Sequence, residues 1–228
     1  ILTETPDVMW GTDATLVQTA EEGRVWVFAA IDHFNFEVVG HHVSTDGSRF
    51  SALEPISQAV TSRFGGIAAD AARGVALRLD NGPQYTSHHF SHQISHWGMA
   101  LSYAFPHQPQ CNGVIERFFR TLKEQAIWGR TFRTAADVRA AVRDFVARYN
   151  AAWRLERLGY LSPLDYRARH RQPPGRRGAG RAGLLPHPDQ RRGGGLAAVE
   201  EVRLHAGDGA RPARPRDRSG RLPVGRVV

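Results

Sequence analysis

Three strand-patterned segments crowd into the first 44 residues: Val8 to Val17, Arg24 to Ile31 and Val38 to Ser44. The gaps between them are short, which suits an antiparallel meander and leaves no room for a crossover helix. The longest apolar run in the chain, Val25 to Ile31, is seven residues; a membrane-spanning helix needs about 20. After the meander the pattern alternates. A helix is predicted from Ser48 to Phe64, with Pro55 a weak point and Gly65-Gly66 its stop. A short strand runs from Val75 to Leu79, and Asn81-Gly82-Pro83 forces a turn just beyond it. Ser87 to Trp97 reads as a helix halted by Gly98, and Ala100 to Tyr103 as a fifth strand. Three strands, a helix, then alternating strands and helices predict an α/β domain built on a mixed five-stranded sheet flanked by helices.

Phe105 to Gly113 holds two prolines and no periodicity and is expected to be a mobile loop. Val114 to Trp128 is the clearest helix, its apolar stripe formed by Ile115, Phe119, Leu122 and Ala126. Thr134 is placed to cap another helix, with Asp137 three positions on as its capping-box partner, and that helix should run to about Trp153. Ser162-Pro163 opens a last short helix.

Charge is unevenly placed. Residues 171–228 carry 13 arginines and 5 acids, which leaves 17 charges of each sign in residues 1–170. The net charge of +8 therefore belongs to the tail and is no general argument for nucleic-acid binding by the core. The tail also has 11 of the 23 glycines, 7 of the 13 prolines and no Phe, Tyr or Trp. With so little to bury, it is expected to be disordered. It reads either as a basic arm or as GC-rich DNA translated in a shifted frame. The expected organisation is a core over residues 1–168, ending in a helical extension, and a basic Arg/Gly/Pro-rich tail over 169–228. A single cysteine, Cys111, excludes an intramolecular disulfide and a cysteine-based zinc finger. No signal peptide pattern is present, and the chain enters a strand almost at once from Ile1, as a fragment lacking its upstream part would.

Among 30 basic residues Lys123 alone is not arginine. Glu116, Arg120 and Lys123 stand at i, i+4 and i+7, so the three share one helix face opposite the apolar stripe. Taken alone this is also what a solvated charged face looks like. Two further acids alter the weighing. Asp80 ends a strand beside Gly82, where backbone can approach a ligand closely. Asp13 lies inside the first strand between Trp10 and Leu16, where a charge is costly unless paired or bound to metal. If the three carboxylates converge, they form an oxygen-rich site suited to Mg²⁺ or Mn²⁺.

The text Trp10-Gly11-Thr12-Asp13-Ala14-Thr15, then Leu79-Asp80-Asn81-Gly82-Pro83-Gln84-Tyr85-Thr86-Ser87, then Gln110-Cys111-Asn112-Gly113-Val114-Ile115-Glu116 through Lys123 resembles the catalytic core of retroviral integrases and bacterial insertion-sequence transposases. The 35 residues between Asp80 and Glu116 match the spacing that names the Asp-Asp-35-Glu group. Tyr149-Asn150, Leu158-Gly159-Tyr160 and Ser162-Pro163 resemble the closing segment of the bacterial members. The resemblance covers about residues 5–168. It implies a ribonuclease-H-like fold and metal-dependent cleavage and strand transfer of transposon DNA ends into target DNA. Asp13, Asp80 and Glu116 would be the catalytic acids and the ligands of two Mg²⁺ or Mn²⁺ ions. Lys123 and Arg120 would hold DNA phosphates, with Asn112 and Gln84 at positions where the family touches DNA. The implied partners are transposon-end and target DNA, with the protein assembling on DNA as a homo-oligomer, no membrane involved, in the nucleoid-associated bacterial cytoplasm. Two other readings stay open: a hydrolytic ribonuclease-H-like nuclease, and a catalytically inactive DNA-binding remnant of a transposase.

Several residues invite functional readings that plainer ones outweigh. Asp32 is expected to be structural or turn-capping. His88, His92 and His96 are expected to form an exposed helix face and not a zinc site. His41-His42 are read as strand residues without ligand partners. Trp10, Trp97 and Trp128 are expected to pack in the core.

Overall fold

The computed structural model describes residues 2–103 and 112–170. The tail over 171–228 and most of the expected loop before Gly113 lie outside the described residues. The first three strands, β1 (Met9–Gln18), β2 (Arg24–Asp32) and β3 (Val38–Ser44), form the expected meander, each pairing antiparallel with the next. Two parallel strands, β4 (Ala76–Leu79) and β5 (Ala100–Tyr103), extend the sheet from the other side of β1. The order is β3-β2-β1-β4-β5. β1 is therefore the central strand, and both of its neighbours hold it in register.

Alternation along β1 and β2 sends side chains to opposite faces, and each face has its own core. On one, Val17, Val27, Ala29 and Ile31 pack with Ile115, Phe118, Leu122, Val142 and Phe145. These last belong to α3 (Gly113–Leu122) and α4 (Ala135–Ala152). On the other face, Trp10, Phe28, Leu77 and Leu79 pack with Ile56, Val60, Phe90 and Ile94. Those helices are α1 (Arg49–Phe64) and α2 (His88–His96). Asp13 falls on the α3/α4 face by the same alternation that puts Trp10 and Ala14 on the other.

The local signals explain where the helices begin. Ser48 and Ser87 side chains accept from Phe50 and Phe90 N–H, and Thr134 and Asp137 close a reciprocal capping box. Ser162 caps α5 (Pro163–Arg169), with Pro163 in its first turn. α1 runs through Pro55 without a break and ends on Gly65 at φ 84°. Pro55 sits hard against β3: a Cβ at Gly40 would stand 1.8 Å from the Pro55 carbonyl oxygen. Gly40 is therefore what lets α1 lie this close to the sheet.

Two expectations need correction. Gly113 opens α3 and does not close a loop. The helix expected to run unbroken to Trp128 is α-helical only to Leu122 and continues as a π turn, Lys123–Ile127. The predicted stripe of Ile115, Phe119, Leu122 and Ala126 is buried throughout. Trp10 and Trp97 are buried as expected, but Trp128 is 62% exposed. The cause is the extra residue of the π turn: it delivers Ile127 to the core and turns Trp128 out.

Candidate active site and its relatives

The site forms where the central strand, the end of β4 and the start of α3 meet. Asp13 is mid-strand in β1, paired with Ala29 of β2. Asp80 follows the last residue of β4, and its Oδ1 accepts the Gly82 N–H at 2.9 Å. That Asx-type turn holds the carboxylate at the strand end. Gly82 leaves room there for both side chains, since a Cβ would come within 3.0 Å of Asp80 Oδ1 and 2.8 Å of Gln84 Nε2. Glu116 stands exposed in the first turn of α3, its N–H bonded to the Asn112 carbonyl at 3.2 Å. A carboxylate there faces the favourable end of the helix dipole.

Electrostatics tie the three acids together. The Asp13 carboxyl is pushed up from 3.8 to about 6. Burial is the main cause, and the Ala14 N–H, which donates to Asp13 Oδ1 at 2.7 Å, opposes it. The charges of Asp80 and Glu116 push it further up, while Lys123 pulls it down. Asp13 thus feels both expected partners and the expected cation. The donor set, oxygen-only and mutually repelling, suits a hard divalent cation. As placed, no three His, Cys, Asp or Glu side chains among the described residues stand close enough to hold one ion together. The chemistry of the donors fits a metal, but the ligand set is not drawn to one point.

Of the expected DNA contacts, Arg120 is exposed and Lys123 and Gln84 are half-buried. Asn112 differs from expectation, being 6% exposed with its side-chain oxygen near Gly11 of β1. It sits between helix and strand. His88, His92 and His96 are exposed along α2, as expected.

A buried phenol at the site was not singled out. Tyr85 is fully buried, edge-on to Phe90 with centroids 5.4 Å apart. Burial first, then the charges of Asp13 and Asp80, push its hydroxyl well above the ordinary tyrosine range, against the neighbouring Thr12 and Gln84. Tyr85 therefore lies in the core beneath α1 and α2, within electrostatic reach of both carboxylates. The available signal was an aromatic five residues after Asp80.

A second acidic group lies at the far end of β2. Asp32 is fully buried and accepts from Asp7 N–H at 3.0 Å and Phe34 N–H at 2.9 Å. Arg167 of α5 binds Asp32 at 3.3 Å and Glu37 at 3.6 Å and pairs with Asp7. Arg63 of α1 reaches Glu37 at 2.5 Å and Asp7 at 3.7 Å. Asp32 is structural, as expected, and its network locks α5 onto the sheet.

The comparisons with known proteins agree with this geometry. Residues 10–128 match the family described as the TnsB C-terminal domain, and residues 97–163 match the integrase core domain. The fold resembles an integrase in a simian T-cell lymphotropic virus intasome in complex with PP2A regulatory subunit B56 gamma. That match has a TM-score of 0.59 at 16% identity and covers 84% of this chain and 60% of the other. It also resembles the HTLV-2 integrase catalytic core domain in complex with magnesium, with a TM-score of 0.53 at 14% identity, covering 72% and 98%. The protein thus has the ribonuclease-H-like fold of the integrase superfamily. Within that class, the chain belongs to the family described as the TnsB C-terminal domain, whose match spans more than half of it. The transposase for insertion sequence element IS629 of Shigella sonnei is 28% identical over 71% of this chain and 52% of its own length. That for IS904 of Lactococcus lactis is 26% identical over 71% and 61%. The chain thus spans about half to three fifths of these relatives' length. No helix among the described residues is long and apolar enough to cross a membrane.

Proposed function

We propose that residues 1–168 are the catalytic core of a DNA transposase that cuts transposon ends and joins them to target DNA. Asp13, Asp80 and Glu116 are the acidic groups that do this. The observation that carries the reading is the Asp13 carboxyl, buried on the central strand within electrostatic reach of Asp80, Glu116 and Lys123. Divalent ions held by these carboxylates would supply activation of the attacking oxygen and stabilisation of the leaving oxygen. Mg²⁺ or Mn²⁺ fits the oxygen donors, and the HTLV-2 relative is described with magnesium.

The protein's own residues do the rest. The turn through Gly82 holds the Asp80 carboxylate at the strand end. The rigid strand pairing fixes Asp13, so that ligand closure needs side-chain rotation of Asp80 and Glu116 and little backbone movement. Arg120 and Lys123, one and two turns along from Glu116, hold strand phosphates, the guanidinium through its fork of donors and the ammonium as a point charge. Intasome and transposase relatives support DNA as the partner and assembly as a homo-oligomer on it, because two ends must be joined together.

The test is a strand-transfer assay with defined DNA ends and Mg²⁺ or Mn²⁺. Joining of a 3′-hydroxyl end to target supports the proposal. Hydrolysis without joining makes the chain a nuclease of the same fold. No turnover with either metal makes it a non-catalytic DNA-binding remnant.

A further inference from the structure

The π turn that ends the Glu116 helix changes which residue stands over Lys123. In an α-helix that place falls to residues three and four ahead. Here the Trp128 N–H donates to the Lys123 carbonyl at 2.7 Å, so the residue five ahead takes it. The same extra residue keeps Ala126 and Ile127 in the core. Trp128, an apolar side chain with every reason to be buried, ends up 62% exposed one turn beyond Lys123. From Arg117 to Arg130 this segment carries four cations, Arg117, Arg120, Lys123 and Arg130, against one carboxylate, Glu124.

We propose that the Trp128 indole is a stacking platform for an unpaired nucleobase of the DNA strand whose phosphates Arg120 and Lys123 hold. Exposed aromatic surface beside cations is the arrangement single strands use, phosphates on the charges and bases on the ring. One helical turn, roughly 5 Å of rise, separates Lys123 from Trp128. A strand fixed at Lys123 can lay a neighbouring base on the indole. A base inside the duplex has both faces covered by its neighbours, and a blunt end offers only its outermost pair, so the site favours unpaired ends. This rests on the proposed DNA-handling function, and it adds a binding contact outside the carboxylate site.

The test measures binding of the full 228-residue chain, by fluorescence anisotropy without metal, to a blunt duplex and to the same duplex with an unpaired extension. Trp128→Ala should weaken binding of the extended probe about tenfold and leave the blunt probe unchanged. Trp128→Phe should keep most of the preference, and Asp80→Asn, whose defect is in chemistry, should keep all of it. Equal loss on both probes, or no loss on either, overturns the stacking role. So does a Trp128→Ala change in oligomer mass by light scattering with extended-probe affinity intact, which would make the indole a protein contact. Failure of the transposase reading is separately visible, as full joining activity in Asp80→Asn.

Discussion

Asp13 and Asp32 make an instructive pair. They sit on adjacent antiparallel strands, and burial is the main force pushing each from 3.8 to about 6. Their neighbours differ in balance. Asp32 is met by two backbone N–H groups, by the repelling Asp7 carboxylate and by Arg167, which binds both acids, and it serves the packing of α5. Asp13 is met by one N–H and by two more carboxylates, with Lys123 the cation that offsets them. Equal perturbation of two carboxyls therefore says little about function. What separates them is whether the surroundings satisfy the charge or add to it.

The comparison can be broken at its strongest point by Asp80→Asn. Loss of one of the crowding carboxylates should cut metal-dependent joining by roughly a thousandfold or more while the thermal unfolding curve stays close to that of the parent. Unimpaired joining would remove Asp80 from the site. At the other cluster the roles reverse. Arg167→Ala leaves Asp7, Asp32 and Glu37 facing one another and should destabilise the fold by about 3–5 kcal/mol in denaturant titration. A change of under about 1 kcal/mol would mean that the network is ornamental.

A finer contrast comes from pH. With its pKa raised to about 6, Asp32 keeps its proton in the folded chain where the unfolded chain has lost it. Its contribution to stability is present below about pH 4, declines as pH rises through 6, and is constant above. The stability difference between the parent and Asp32→Asn, followed from pH 4 to 8, should bend in that window. A flat difference would show that Asp32 is not perturbed as described. The smallest effect is expected at Lys123→Ala. Its removal should lower the salt-dependence slope of DNA binding by about one phosphate contact, and an unchanged slope would leave Lys123 only its pull on Asp13.

Much of the fold was legible because its signals are local. Serine and threonine caps, the glycine stops and the alternation of β1 to β3 each act within a few residues, and the elements begin and end where those signals lie. The three acids of the site were legible only as an ordered set of motifs, since nothing in the spacing of Asp13 shows that β1 is central. What stayed hidden is long-range or a matter of one residue. Arg167 finds Asp7 across 160 positions of chain, and no local pattern marks a pair like that. The π turn shifts register by a single residue without any Pro or Gly to announce it, and so moved Trp128 from the expected core to the surface. Asn112, expected where the family touches DNA, is buried beside β1.

Asn150 has a consequence of another sort. Its side-chain oxygen accepts the Val38 N–H and its amide donates to the Val38 carbonyl, both at 2.9 Å. Those are the two bonds that an incoming strand would make to β3, which lies at the margin of the sheet. One amide from α4 thus counterfeits a neighbouring strand and closes that end of the margin to further growth. A bare strand edge invites aggregation between copies; here the invitation is withdrawn at its first residue, in a protein proposed to gather several copies of itself on one piece of DNA.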